Sequence, residues 1–343
     1  MKRLLNTLYV TTPGAYLSQE GETVCVRAGD EIRARIPLHT LDGIVCLGAN
    51  GCSPPLMEAC ATRNVALSFL SDTGRFWARV QGPVSGNVLL RREQYRRAED
   101  PEAAAGIARA MVIAKVINSR MVLLRALRDH PEASGAEDLR TASDRLASVL
   151  KALTRDLPID TTRGFEGEAA QVYFGVFDHL IVAQKESFQF TRRSRRPPLD
   201  LVNSLLSFLY AILAHDAASA LEGVGLDPAV GFLHRDRPGR PGLALDLMEE
   251  LRPVLADRVA LSLINRRQVS ADGFRILENG AVQMDDDTRK TVITTYQERK
   301  REELQHPFLG EQVPVGLLTH CQALLLARHL RGDLDAYPAY TWR

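Results

Sequence analysis

Cysteine is scarce in this chain and carries no pattern. Only Cys25, Cys46, Cys52, Cys60 and Cys321 occur, an odd set without a C-x-x-C pair. That argues against a disulfide framework and against a structural zinc site, and leaves the five as small buried hydrophobes. Excess charge is missing as well. Forty-three basic and 42 acidic residues give a net charge of +1, so no global field pulls the chain towards nucleic acid or membrane, and any polyanion site has to be local. No uninterrupted apolar run reaches the ~18 residues of a membrane span. The opening MKRLLNTLYV is basic, but its apolar run is too short for a signal peptide and no small-residue cleavage site follows. Internal repeats and low-complexity segments are absent too. What remains is a globular, cytoplasmic protein, and its 343 residues, 45% of them hydrophobic, suffice for two domains.

What is present divides into two patterns. Up to about residue 82 the runs TLYVTT, ETVCVRAG, EIRARIPL, GIVCLG, VALSFL and RFWARVQG are short, β-branched or alternating, and are separated by turn residues. One helix, PPLMEACATRN, interrupts them, and YLSQEGETVCVRAGDEIRARIPL reads as a hairpin or meander. From Val88 the period becomes helical: Ile113, Ile117, Met121 and Leu124 form one apolar stripe in the window 103–129. Further helices are expected over 139–153, 164–183, 198–221, 243–266, 287–303 and 314–332, with a small hairpin at 274–285. The expected fold is therefore α+β and multidomain. A small β-rich N-terminal domain with its linker (1–87, GPVSGN at 82–87) precedes a larger all-α domain (88–343).

Three stretches of the helical part carry chemistry. In LHRDRPGRPGLALDLMEELRP, Asp246 and Glu249 lie three apart on one helix, beside a core-facing line of Leu243, Leu247 and Leu251. Glu250 and Arg252 are expected to point outward, and Pro253 to end the helix. With His234 ahead of them, the acids are either half of a metal site or a loop capping a helix whose acids answer its dipole. In TTRGFEGEAAQVYFGVF, glycines flank Glu166 and leave room for another backbone or a substrate, with Ala169, Ala170 and Tyr173 along the helix that follows. The plainer reading makes Glu166 a first-turn acid; Glu168 points elsewhere. In FQFTRRSRRPPLDLVNSLLSFLYAIL, Arg192, Arg193, Arg195 and Arg196 crowd a loop with Phe188 and Phe190. Asp200 heads a helix in which Asn203, among apolar residues, needs a partner.

Taken in order, E-G-x-A-A-x-x-Y-F, D-x-x-N-x-x-L-S, and G-F-x-H followed by D-L-x-E-x-x-R-P resemble the universal CRISPR-associated integrase, the spacer-acquisition nuclease, over nearly the whole chain. The resemblance implies a divalent ion held by Glu166, His234 and Glu249, with Asp246 as a fourth or outer ligand. Many relatives carry Asp where Glu249 stands. Two carboxylates and an imidazole are a hard, oxygen-rich set that suits Mg²⁺ or Mn²⁺ better than zinc. The implied reaction is attack of a DNA 3′-hydroxyl on a phosphodiester of the CRISPR repeat; with water in its place the same site cleaves DNA. The implied partners are double-stranded DNA (prespacer and CRISPR repeat or leader), a second copy forming a homodimer through the β-rich domain, and a heterohexamer with the small second CRISPR-associated adaptation protein. By electrostatics, Arg192, Arg193, Arg195, Arg196, Arg235, Arg237 and Arg240 are candidates for contacts to the DNA backbone.

Two other readings compete. His179 with the His215–Asp216 pair, and Asp257 at a distance, match the residue types of an HD-type metal phosphohydrolase, although such enzymes do not call for a β-rich N-terminal domain. A helical, non-catalytic DNA-binding scaffold would carry the same acids as surface decoration. For the last residues, AYPAYTWR, packing of Tyr337, Tyr340 and Trp342 on their own domain is expected over docking on a partner.

Overall fold

The computed structural model describes residues 7–63, 65–71, 74, 76–82, 88–132 and 134–342. Most of the expected linker, 83–87, lies outside them. The chain forms two compact units, Met1–Gly86 and Asn87–Arg343.

In the first unit the alternating runs become β1 (Thr7–Val10), β2 (Tyr16–Glu20), β3 (Thr23–Ala28), β4 (Glu31–Pro37), β5 (Gly43–Leu47), the short β6 (Gly51–Cys52), β7 (Ala66–Leu70) and β8 (Phe76–Val80), with α1 (Pro54–Thr62) between β6 and β7. One sheet runs β1-β5-β7-β8, parallel except for its last pair. The other runs β4-β3-β2-β6, and its antiparallel meander β2-β3-β4 is the expected one. Parallel neighbours need a crossover, and α1, with Ser53 accepting from the Leu56 N–H and prolines in its first turn, lies between β5 and β7 in the chain. Leu17, Val24, Ile44, Cys46, Leu56, Cys60 and Leu67 form the buried core. All five cysteines are free thiols, and all but Cys52 are buried.

The second unit contains α2 (Val88–Glu99), α3 (Pro101–Asp129), α4 (Ala136–Leu153), α5 (Ile159–Gly175), α6 (Leu201–Gly223), α7 (Gly242–Glu249) and α8 (Arg258–Asn265). These are followed by the hairpin β9 (Phe274–Ile276) and β10 (Val282–Met284), α9 (Asp286–Arg301), a second hairpin β11 (Glu303–Gln305) and β12 (Gln312–Pro314), and α10 (Leu318–Leu330). The helix starts are capped as the sequence dictates: Asp100 accepts from the Glu102 and Ala103 N–H groups with Pro101 next, Asp200 from Asn203, and Asp285 from Thr288. α6 is long and apolar enough to cross a membrane by length and composition, but more than half of its most apolar stretch is buried, so it is the core helix of this unit. The continuous helix expected over 243–266 is interrupted. α7 stops at Glu249 and a π-helical turn, Arg252–Asp257, leads into α8. Pro253 in that turn has no N–H to continue an α ladder.

Candidate functional site

α7 fixes His234 through Asp246. The Asp246 carboxylate is fully buried. Its Oδ2 accepts the backbone N–H groups of Phe232 (2.6 Å) and Leu233 (2.8 Å), and its Oδ1 accepts that of His234 (2.9 Å) and lies 2.5 Å from His234 Nδ1. A carboxylate only accepts, so Nδ1 carries a proton and donates it to Asp246, and Nε2 is the ring nitrogen left without a hydrogen bond among the described ones. The turn needs its glycines. A Cβ on Gly231 would come within 2.7 Å of Asp246 Oδ2, and one on Gly242 within 2.7 Å of the Ala229 carbonyl. Asp246 is thus committed to shaping the G-F-x-H turn and orienting the imidazole.

Glu249, one turn further along α7, is buried and surrounded by cations. Its Oε1 takes a hydrogen bond from Arg252 (2.5 Å) and lies 3.9 Å from His234 Nε2, while Oε2 lies 2.7 Å from Lys115 Nζ. Burial pushes this carboxyl up, but Arg252, Lys115 and His234 together outweigh it and hold it at about 2. The Oε2 contact is a close, buried ion pair. Lys115, on α3 and itself buried, also pairs with Glu166 Oε1. Glu166 is not a first-turn acid. α5 starts at Ile159, five residues before the expected 164, directly after Pro158, which places Glu166 in the middle of the helix. A Cβ on Gly164 or Gly167 would meet no atom within 4 Å, so the backbone flanking Glu166 is bare and unpacked. Glu168 points elsewhere, to Arg145.

The structure thus links Glu166, Glu249 and His234 from α5, α7 and the loop before α7. Lys115 joins the two glutamates and His234 approaches Glu249 alone, with no shared vacant point: among the described residues no three His, Cys, Asp or Glu side chains stand close enough to hold a metal ion as they are. The donor set still fits a hard divalent ion, given an imidazole nitrogen without a described hydrogen bond, a buried carboxylate held ionised by cations alone, and a half-exposed second glutamate. Sequence reasoning missed Lys115. Its signal was a lone lysine inside the apolar run MVIAKVI of a helix whose stripe is core.

Two residues expected to point outward do not. Glu250 is fully buried, accepting from Tyr337 OH (2.6 Å), the Tyr340 N–H (2.6 Å) and Gln322 Nε2 (2.9 Å). Arg252 turns inward to Glu249 and over the Tyr210 ring, 5.1 Å from its centroid. The C-terminal segment packs on its own unit, as expected: Trp342 donates its N–H to Asn118 Oδ1 (2.7 Å), and Arg125 and Arg258 lie over its ring.

The arginines separate into two groups. Arg193 is structural: it donates to Asn203 Oδ1 (2.6 Å) and Ser207 Oγ (3.1 Å) and lies 5.1 Å from the Tyr210 centroid. Asn203, completed by Arg192 O, Ser194 N–H and Asp200, has the partners it needs. Arg192, Arg195, Arg196 and Arg237 are exposed, and Arg235 is exposed but paired with Asp160 at 2.9 Å. Arg240 has its pKa lowered by burial and by Arg237, Arg195 and Arg196, which marks a like-charged cluster drawn from two loops. A cavity of about 420 Å³ opens beside His234 between Arg163, Arg235 and Phe232.

The HD-type set is not assembled. His179 pairs with Asp138 (3.0 Å), Asp216 with Lys300 and Tyr296 (both 2.9 Å), and Asp257 accepts from Tyr210 OH (2.6 Å).

The family model "CRISPR associated protein Cas1" matches residues 8–298. A "CRISPR-associated endonuclease Cas1 1" from Chlorobaculum tepidum is 56% identical over the full length of both chains. Among solved structures, a casposase bound to integration product superposes with a TM-score of 0.85 at 22% identity, covering 99% of this chain and 95% of that one. A chain of a Cas6-RT-Cas1–Cas2 complex superposes with 0.84 at 22% identity, covering all of this chain and 36% of that one. With a family match over most of its length and a full-length relative above half identity, the chain belongs to the Cas1 family of CRISPR-associated proteins.

Proposed function

We propose that this protein is a metal-dependent DNA integrase and endonuclease of CRISPR adaptation, working in the cytoplasm. The observation that carries the reading is the convergence of Glu166, His234 and Glu249, 68 and 15 residues apart in sequence, on one buried cluster in a chain of this family. Glu166, His234 Nε2 and Glu249 would hold Mg²⁺ or Mn²⁺, with Asp246 behind the imidazole as an outer-shell residue. Such an ion, when bound, acidifies the attacking hydroxyl and stabilises charge on the phosphorane oxygens.

The chain's own residues do the rest. Asp246 keeps a proton on His234 Nδ1, so Nε2 is the ring nitrogen that would offer its lone pair to the ion. The Arg195, Arg196, Arg237 and Arg240 cluster holds a phosphodiester backbone. The bare helix at Gly164 and Gly167 lets that backbone approach. In strand transfer the 3′-oxygen of the incoming duplex bonds to phosphorus as the repeat-strand oxygen leaves, so one phosphodiester replaces another without external energy. The partners are duplex DNA, a second copy docked through the β-rich unit, and the small second adaptation protein in a heterohexamer.

The test is strand transfer of a labelled duplex with free 3′ ends into a repeat-bearing plasmid, with the small partner and Mg²⁺ or Mn²⁺. Glu166→Ala, His234→Ala and Glu249→Ala should abolish joining while His215→Ala keeps it. Full activity in the first two variants would sink the assignment.

A further inference from the structure

Lysine is almost never fully buried unless paired, and Lys115 is buried on α3 with its ammonium against both glutamates of the candidate site. No other cation contacts Glu166 and Glu249 together among the described ion pairs; Arg252 reaches only Glu249. We infer that the Lys115 ammonium is an internal stand-in for the divalent ion: it neutralises the two carboxylates in the metal-free protein, and an incoming ion has to displace it. This rests on the metal-site reading above.

Space forces the exclusion. Glu166 and Glu249 would both have to turn a carboxylate oxygen to the ion, and the space between those oxygens is where the ammonium lies. Nζ already touches Glu166 Oε1 and lies 2.7 Å from Glu249 Oε2. Two cations in that gap repel in a low-dielectric interior, so only one is seated at a time. Apparent metal affinity is therefore reduced by the fraction of molecules in which the ammonium is seated. Removing the charge has two opposite effects. The metal-free fold loses the cation that separates two facing carboxylates and is destabilised, while the ion meets no competitor and binds more tightly.

The experiment is calorimetric titration of the full chain with Mn²⁺ alone, for wild type, Lys115→Met and Lys115→Gln, each also combined with Glu166→Gln, and thermal melts across the same Mn²⁺ range. If the ammonium is seated at least nine-tenths of the time, both uncharged variants bind Mn²⁺ about tenfold more tightly or better. They also melt lower without Mn²⁺, and Glu166→Gln removes the gain. A variant that folds only with Mn²⁺ present supports the inference equally. Unchanged or weaker Mn²⁺ binding in both variants, with wild type binding normally, overturns it and leaves the metal site standing. A variant unfolded at every Mn²⁺ concentration also overturns it, since the ion then does not replace the ammonium. Absence of Mn²⁺ binding in all three proteins sinks the metal-site reading and this inference together.

Discussion

Asp246→Asn changes one atom in the residue that shapes the His234 turn, and its effect can be worked from the hydrogen bonds. The carboxylate accepts four donors, two on each oxygen: Phe232 and Leu233 N–H on Oδ2, His234 N–H and Nδ1 on Oδ1. An asparagine oxygen can keep one of these pairs, and its NH₂ then faces the other two donors whichever way the amide turns. Two buried donors left facing a donor cost ~1–3 kcal/mol each, so a loss of about 3 kcal/mol is expected. For a unit of this size that lowers Tm by roughly 6–12 °C. Where the amide turns its NH₂ to His234, the imidazole also loses its acceptor and its fixed tautomer, and metal affinity should fall ~10–100-fold. Thermal melts with and without Mn²⁺ read both effects. A variant that melts within a degree of wild type and binds Mn²⁺ equally would refute the claim that Asp246 orients His234.

Four further outcomes are expected. Gly164→Ala and Gly167→Ala should each stabilise α5 by up to ~1 kcal/mol, because the new methyl meets nothing, yet slow strand transfer; a stabilised variant with unchanged transfer would show that the bare backbone is not used. Arg195→Ala and Arg237→Ala should each lower the salt slope of DNA binding by ~1 at constant Tm. Arg193→Ala should lower Tm, losing its bonds to Asn203 and Ser207; a melting point unmoved by that change would refute its structural role. Burial raises the Asp257 carboxyl from 3.8 to about 6, against the pull of its Tyr210 hydrogen bond. The folded state therefore holds the proton longer than the unfolded chain, and stability falls as pH rises from ~4 to ~6, by roughly 3 kcal/mol, then levels off. The stability difference between Asp257→Asn and wild type should grow across that window and stay constant above it; a flat difference in urea titrations would contradict the shift.

The strands were legible because β-branched residues alternate between turn signals, and the long helices because one apolar stripe repeats over several turns. The start of α5 was not. Asp160, Thr161, Thr162 and Gly164 read as loop composition, whereas packing beyond Pro158 carries helix through them. Glu250 could not be placed either, since its partners, Gln322, Tyr337 and Tyr340, come 72 to 90 residues later. The site was half legible. Its motif residues are spaced along the chain in recognisable order, but Lys115 bears no motif. Arg193 looks the same in sequence as Arg192 and Arg195, and only the register of α6 turns it towards Asn203.

The segment from Tyr337 to Trp342 is tied to residues that precede it by 87 to 224 positions: Asn118 on α3, the helix of Lys115, and Glu250, the neighbour of Glu249. A chain halted on the ribosome at Leu330 already contains all the acids, the histidine and the lysine of the site. It already has the Asn118 bond to the Glu250 carbonyl, but it lacks the Tyr337 and Tyr340 donors to the buried Glu250 carboxylate and the bonds from Asn118 to the segment. The groups of the candidate site are thus synthesised before the residues whose bonds complete the shell around Glu250.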